Sequence, residues 1–330
     1  MDAERRLSDF AKARVLVVGD TIVDIYTYGT ALGLSAETPT IVARQKSVTK
    51  TLGGAAFVCR NLLELGAQVD FVTLVGRDDE ARTVRDYSSD RFNLIAIEDP
   101  GRPTTVKHRF WVDGYKLFQL DVRDDSLIGD AVAGEVMAAV RTHLAHADAL
   151  LVSDYRHGLV SPATARLLIE TARAAGKPVY VDSQVAQNVS NHRDYRSGAI
   201  ICLNLKEARC IDAAFTPADD PAAFEGLQQS LDAKMLIVKL GEDGALAFDG
   251  RKVFRAPAWP VKVVDTIGAG DAFLAALVLA GLEDPRQALT IGNAWAGLSI
   301  QKHGTATPSK DEFIALLAQS APEKLTCPTD

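Results

Sequence analysis

Two carboxylates, Asp265 and Asp271, bracket a turn of small residues, Thr266-Ile267-Gly268-Ala269-Gly270. An alanine- and leucine-rich run follows and ends at Gly281. The run is strongly helical, and Gly281 closes it as a C′ residue. Glycines in the turn let backbone N–H groups approach a ligand at the positive end of that helix, which makes an anion-binding arrangement. Asp271 falls in the first helical turn, where a carboxylate is favoured in its ionised form and is available as a base at neutral pH. An anion hole beside a positioned carboxylate suits phosphoryl transfer: charge on the moving phosphoryl must be neutralised and the accepting hydroxyl oriented. The same residues also describe a helix start capped by Asp265 or Asp271, with glycines that only shape the turn.

Other residues of chemical interest sit where strands end. Arg14-Val15-Leu16-Val17-Val18-Gly19-Asp20 reads as a strand apolar on both faces, as in the centre of a parallel sheet. Asp24 follows it, near the carboxyl end where ligands bind in open α/β sheets, or caps a turn there. Gly53-Gly54 opens an apolar helix that carries Phe57 and stops at Gly66; a strand over 69–76 comes next. Helix over 133–143, strand over 147–155 with Asp154 near its end, helix over 162–175 and strand over 179–183 then alternate. Such alternation gives right-handed βαβ units and a mostly parallel sheet. Asn204 and Glu207 lie where the strand from Ile200 enters a helix, a pattern that also makes a capping box. Strand 235–240 carries Lys239 into Gly241 and Gly244; Lys239 reaches a phosphate or points to solvent. Asn293 lies in a small-residue helix and Gly304 in the loop after it, and the helix over 310–318 is amphipathic.

Two less regular regions, about 25–47 and 103–121, contain strand-like runs, and Asp113-Gly114 is a hairpin signal. Together they predict a small sheet standing off the main body. No repeat or linker divides the 330 residues, so one domain, 1–330, is expected.

Hydrophobic residues make up 47% and charged residues 24%, an ordinary globular balance. A net charge of −7 argues against a general nucleic-acid binder. The sequence has no apolar run long enough to span a bilayer and no signal-like apolar core near Met1, which points to a cytoplasmic setting. Cys59, Cys202, Cys210 and Cys327 have neither finger spacing nor a disulfide pattern.

Asp265-Thr266-Ile267-Gly268-Ala269-Gly270-Asp271 resembles the Asp-Thr-x-Gly-Ala-Gly-Asp signature of the ribokinase-like (PfkB) carbohydrate kinases at every defined position. Gly53-Gly54 through Leu65-Gly66 is similar to that family's second signature, with Phe57 where the family usually has Asn. The resemblance implies a three-layer α/β/α sandwich with a small β lid that is often a dimer contact. It implies ATP and Mg²⁺, in many members with K⁺ near the Asp265 loop. Asp271 would be the base, with the N–H groups of 267–270, including Gly268, Ala269 and Gly270, as anion hole. Asp24, Gly53 and Gly54 would hold the sugar, with Phe57 either there or in the core. Asn204, Glu207 (on Mg²⁺ through water), Lys239, Gly241 and Gly244 would form the nucleotide end. Asn293 and Gly304 would line the adenine side, or serve as packing and cap residues.

Ser153-Asp154-Tyr155-Arg156-His157-Gly158, Ser35-Ala36-Glu37-Thr38-Pro39 and Thr105-Val106-Lys107-His108-Arg109 look like segments of the bacterial heptose-phosphate kinases. That branch is the kinase half of a bifunctional heptose enzyme and acts on O1 of D-glycero-β-D-manno-heptose 7-phosphate. Asp154, Lys107 and Arg109 would face the sugar phosphate, although Lys107, Arg109 and Arg156 also suit a solvated surface. His157 replaces the branch's Lys, and Gln119 stands where it tends to have Arg. A kinase for another sugar or a nucleoside, and a non-catalytic sugar- or nucleotide-binding protein on the same fold, are the alternative readings.

Overall fold

The computed structural model describes residues 3–186 and 189–319; Cys327 lies outside them. The strands are β1 (Arg14–Gly19), β2 (Thr21–Leu34), β3 (Ile41–Gly54), β4 (Gln68–Val75), β5 (Phe92–Glu98), β6 (Val106–Val112), β7 (Tyr115–Val122), β8 (Ala149–Asp154), β9 (Val179–Ser183), β10 (Ile200–Asn204), β11 (Met235–Lys239), β12 (Ala245–Phe248) and β13 (Val253–Ala256). The helices are α1 (Ala3–Phe10), α2 (Ala55–Leu65), α3 (Asp79–Arg85), α4 (Asp130–Leu144), α5 (Pro162–Ala174), α6 (Leu205–Ile211), α7 (Glu225–Leu231), α8 (Ala269–Ala280), α9 (Pro285–Ser299) and α10 (Lys310–Ala318).

Nine strands form the main sheet in the order β13-β12-β11-β10-β9-β8-β1-β4-β5, parallel except where β12 and β13 join. Because side chains alternate along a strand, β1 sends Val15 and Val17 to one face and Leu16 and Val18 to the other. The first pair packs with α2 and α8, the second with α4 and α5, which gives the three layers. From β1, the chain runs outward to β4 and β5 on one side and returns to β8 on the other. The order of strands reverses beside β1, and a crevice opens at the carboxyl ends of β1 and β8. Among the described residues no helix is long and apolar enough to cross a membrane.

A second sheet, β3-β2-β6-β7, rises from this end. Asp113 and Gly114 both take positive φ (49° and 84°), as a two-residue turn matched to the strand twist requires. Its strands are longer than the sequence pattern shows: β2 and β3 run 14 residues each. Most of β3 is exposed, so no alternation of polar and apolar residues marks it. Gly53 and Gly54 therefore end a strand instead of forming a free loop. Much of this sheet presents apolar side chains to solvent, among them Leu34, Ile41, Tyr115, Phe118 and Leu120.

Candidate active site

Gly268 is the N-cap of α8 at φ 77°, and it turns the chain so that the amides of the loop point out ahead of the helix. Ile267 N–H donates to Asp265 Oδ1 (3.0 Å) and Ala269 N–H to the Thr266 carbonyl (3.3 Å). Among the described residues the N–H groups of Gly268, Gly270 and Asp271 have no protein acceptor, so these three, not all of 267–270, are the donors open to an anion.

Asp271 stands in the first turn of α8, and both its oxygens accept the Tyr155 hydroxyl (2.9 and 2.8 Å). Burial pushes its carboxyl up to about 7, helped by the charge of Asp182, while Tyr155 and Lys239 act the other way. The expectation of an ordinary ionised carboxylate is thereby corrected. Desolvation outweighs the helix terminus, and the group titrates near neutrality.

Asp182, at the end of β9, and Lys239, at the end of β11, form an ion pair across β10. A Cβ on Gly270 would stand 3.3 Å from Lys239 Nζ, so this ammonium borders the anion turn and does not point to solvent. Glu207 and Asn204 form a reciprocal cap at the start of α6: Glu207 Oε2 accepts the Asn204 N–H (2.7 Å) and Asn204 Oδ1 accepts the Glu207 N–H (2.9 Å). Burial, then the charge of Asp182, pushes Glu207 up to about 7.

At the other end of the cleft, β2 and β6 run in register with Asp24 beside Lys107 and Tyr26 beside Arg109. Asp24 pairs with Arg109, whose guanidinium lies 5.1 Å from the Tyr26 ring centroid. Burial nevertheless raises the Asp24 carboxyl above its usual range, against the opposing effect of Arg109. Gly53 makes room for it: a Cβ there would stand 2.1 Å from Asp24 Oδ2. Lys107 Nζ sits 5.9 Å from the Tyr155 ring centroid. A cavity of about 290 Å³ joins the two ends, lined by Asp24, Lys107, Arg109, Tyr155, Asp182, Lys239 and the turn from Thr266 to Asp271. A larger hollow of about 1190 Å³ opens at the amino ends of the strands, beside Lys12 and Tyr180, but it bears none of these residues and is not the site.

Several residues singled out in the sequence stand apart from the cleft. Asp154 is 1% exposed and fully engaged, accepting from the Arg156 N–H (2.8 Å), Ser183 (2.9 Å), Asn191 (2.7 Å) and Tyr195 (2.7 Å). It anchors a turn and does not line the cleft. Phe57 is also buried, with its ring beneath Gly268, so its role is core packing under the anion turn. Asn293 donates to the carbonyls of Ala256 and Pro257 (both 3.0 Å), tying α9 to the end of β13. Gly244 fits against the Ala256 carbonyl, and neither it nor Gly241 lines the enclosed cavity. Gly304 N–H donates to Asp265 Oδ2 (2.9 Å), so Asp265 clamps its own loop to the loop after α9.

The sequence reading missed Asp182 as a site residue and passed over Tyr155 and Asp20. Asp182 carries the same signal that marked Asp24, a carboxylate at the carboxyl end of a buried apolar strand. Asp20 follows β1 and accepts the N–H groups of Tyr155 (2.9 Å) and His157 (3.3 Å).

A doubly wound sandwich, a small second sheet and a turn with free amides meet at one crevice, an arrangement suited to phosphoryl transfer. The chain matches the family described as pfkB family carbohydrate kinase over residues 12–312 and belongs to that family. It is 34% identical over 323 residues to the bifunctional protein HldE of Caulobacter vibrioides, covering 95% of this chain and 65% of that protein. The HldE of Bradyrhizobium diazoefficiens is 35% identical over 312 residues, 91% of this chain and 62% of its own length. The chain thus spans less than two thirds of the length of these relatives. Among solved structures, phosphofructokinase-2 of Escherichia coli in complex with potassium superposes with a TM-score of 0.74 at 19% identity, covering 93% of this chain and 98% of that one. Ribokinase of Arabidopsis thaliana complexed with ribose and ATP gives 0.70 at 22%, covering 94% and 100%. The fold is therefore ribokinase-like, and membership of a kinase family implies ATP as phosphoryl donor.

Proposed function

We propose that this protein is a sugar-phosphate kinase that transfers the γ-phosphoryl of Mg·ATP to the anomeric hydroxyl of a heptose 7-phosphate. The observation that carries the reading is the polarity of the cleft. Lys107, beside an Arg109 already paired with Asp24, supplies positive charge at one end, and the anion turn with Asp271 lies at the other. A substrate with phosphate at one end and a reacting hydroxyl at the other suits that spacing of charges. Similarity to the HldE proteins supports the choice of sugar.

Asp271 takes the proton of the accepting hydroxyl as that oxygen bonds to the γ-phosphorus; the P–O bond to the leaving ADP breaks with its electron pair on ADP. The amides of Gly268, Gly270 and Asp271, with Lys239, neutralise the moving phosphoryl. The donor set fits Mg²⁺ bound chiefly to phosphates and water: Glu207 is the nearby carboxylate, and no group of three or more His, Cys, Asp or Glu side chains forms a cage among the described residues. A monovalent cation at Asp265 would have to share a carboxylate that already accepts two N–H groups. The four-stranded sheet acts as the lid that excludes water and, through its exposed apolar face, as the contact of a homodimer. A cytoplasmic setting, where ATP is abundant, accompanies this reading.

The test is an ADP-release assay with Mg·ATP over free sugars, nucleosides and sugar phosphates, heptose 7-phosphate among them. Turnover on heptose 7-phosphate well above the rest is expected; preference for another acceptor overturns the choice of sugar. One observation favours that second reading. His157 is buried, its pKa pushed down to about 4, so it is neutral where the heptose branch has a Lys.

A further inference from the structure

We propose that Tyr155 is a positioning residue for Asp271: its phenol holds the carboxylate in place for the acceptor hydroxyl and keeps it in the form that can take a proton. The inference rests on the reading of Asp271 as the base. Nothing in the fold requires the contact, since Tyr155 and Asp271 lie 116 residues apart on unrelated elements and their polar ends meet inside the cleft.

Three features show that this phenol is aimed. First, its oxygen lies at near-equal distances from the two carboxylate oxygens, 2.9 and 2.8 Å, so one proton bridges both. Second, the turn that carries it is held from below. Asp20 Oδ2 accepts the Tyr155 N–H at 2.9 Å, and Asp154, itself anchored by Ser183, Asn191 and Tyr195, accepts the N–H of Arg156. Third, Arg156 takes a left-handed conformation, φ 64°, that a non-glycine residue rarely adopts without such anchoring. Two buried carboxylates and a strained residue thus fix one ring, which is why Asp154 matters although it touches nothing in the cleft.

The chemistry follows from what a phenol can do beside this base. A donor to a carboxylate stabilises the ionised form. Burial and the neighbouring carboxylates of Asp182 on β9 and Asp24 on β2 oppose ionisation; Lys239 on β11 favours it. Lys107 on β6 lies over the Tyr155 ring, and burial with the Asp271 charge keeps the phenol protonated far above neutral pH. Tyr155 therefore donates throughout the working range and is never the proton acceptor. When the acceptor hydroxyl binds, it takes one carboxylate oxygen and the phenol keeps the other. The proton passes from the acceptor to Asp271 as the new O–P bond forms and ADP departs with its electron pair.

The test needs no acceptor sugar. Aspartate carboxyl carbons are labelled with ¹³C, the Asp271 resonance is assigned by its loss in Asp271→Asn, and its midpoint is read in the free enzyme. Tyr155→Phe keeps the ring over Lys107 and removes only the donor. The expected result is a rise in the midpoint by about one pH unit, with an equal upward shift of the acid limb of kcat/KM, which reports the free enzyme, on whichever acceptor the enzyme uses. An unmoved midpoint overturns the proposal. Should Tyr155→Phe fail to fold, 3-fluorotyrosine at position 155, a stronger donor, must lower the midpoint; no change there overturns the proposal as well. Kinetics of Asp271→Asn judge the base separately: retained turnover would remove the catalytic reading while the titration still decides whether Tyr155 governs the carboxyl.

Discussion

The ring of Phe57 lies under Gly268, so close that a Cβ on that glycine would stand 2.3 Å from Phe57 Cε1. Gly268 also has φ 77°, a region that costs other L-residues roughly 1–2 kcal/mol. Clash and strain act together at the residue that aims the anion turn. Gly268→Ala is expected to lower kcat by about two orders of magnitude, as loss of an anion-hole donor does, with a smaller effect on folding. Phe57→Leu in the same chain should recover part of the loss by making space for the methyl group. Steady-state kinetics of the single and double variants check this, and a double variant no better than Gly268→Ala would show that strain alone decides.

Asp271→Asn keeps size and one acceptor oxygen for the Tyr155 hydroxyl but cannot take a proton. Turnover should fall by about three orders of magnitude while the dissociation constant for Mg·ATP changes little, since a general base acts on the transition state more than on binding. Equal losses in kcat and in ATP affinity would mean that Asp271 holds the turn together.

The pH dependence follows from a carboxyl pushed up to about 7. A base works when deprotonated, so if Asp271 is that base kcat/KM should fall as pH drops through about 7, with a slope of one on a logarithmic plot. Stability has the opposite sign. A raised folded-state pKa means the native chain holds the proton more tightly than the unfolded chain does. The contribution is present below the unfolded value near 3.8 and is lost as pH rises through 7. Thermal melts at pH 8 should therefore place Asp271→Asn a few degrees above the native protein, and a lower Tm would contradict the burial of that carboxylate.

The anion turn was legible because its parts are contiguous: seven residues contain the glycines, both aspartates and the helix start. Asn204 and Glu207 were legible for the same reason, three residues apart at one helix end. Pairings across the sheet were not. Lys239 meets Asp182 57 residues away, and the residue type gave no sign of whether it faced phosphate or solvent. Asp154 and Asp182 each lie at the carboxyl end of a buried strand, yet one is sealed by four donors and the other lines the cleft. Only the packing of Ser183, Asn191 and Tyr195 separates them. The small sheet was legible from its two strand-like regions, but the full 14-residue lengths of β2 and β3 were not, because exposed strands carry little hydrophobic pattern.

Lys107 and Arg109 differ in how they are held at the end of the cleft proposed for the sugar phosphate. Arg109 is committed to Asp24, whereas Lys107 makes no ion pair among the described residues and lies over the Tyr155 ring; desolvation pulls its pKa down from the ordinary lysine value, against the charges of Asp24 and Asp121. A half-buried ammonium outside any ion pair is free to engage an arriving phosphate. Lys107→Ala should raise KM for a sugar phosphate by about tenfold to a hundredfold, the range for one charge-assisted hydrogen bond, and leave KM for ATP and turnover on any unphosphorylated sugar nearly unchanged. Equal effects on phosphorylated and free sugars would place the substrate's phosphate elsewhere.

The exposed face of the small sheet yields the last prediction. Every residue of β7 is exposed, and Phe118, Leu120 and Val122, at alternate positions, share one face of it. Phe118 stacks on Phe110 of β6 with ring centroids 4.3 Å apart, so the apolar surface continues across the strand pair. Contiguous apolar area of this kind on an edge strand invites a partner. A second copy fits best, because like sheets can bury like faces about a two-fold axis. Leu120→Glu would set a carboxylate on each side of that axis. Light scattering should then find a monomer where the native chain is a dimer, with the melt little changed if the interface only joins folded chains. A native chain that is already monomeric at micromolar concentration would remove the dimer and leave the sheet to act as a lid alone.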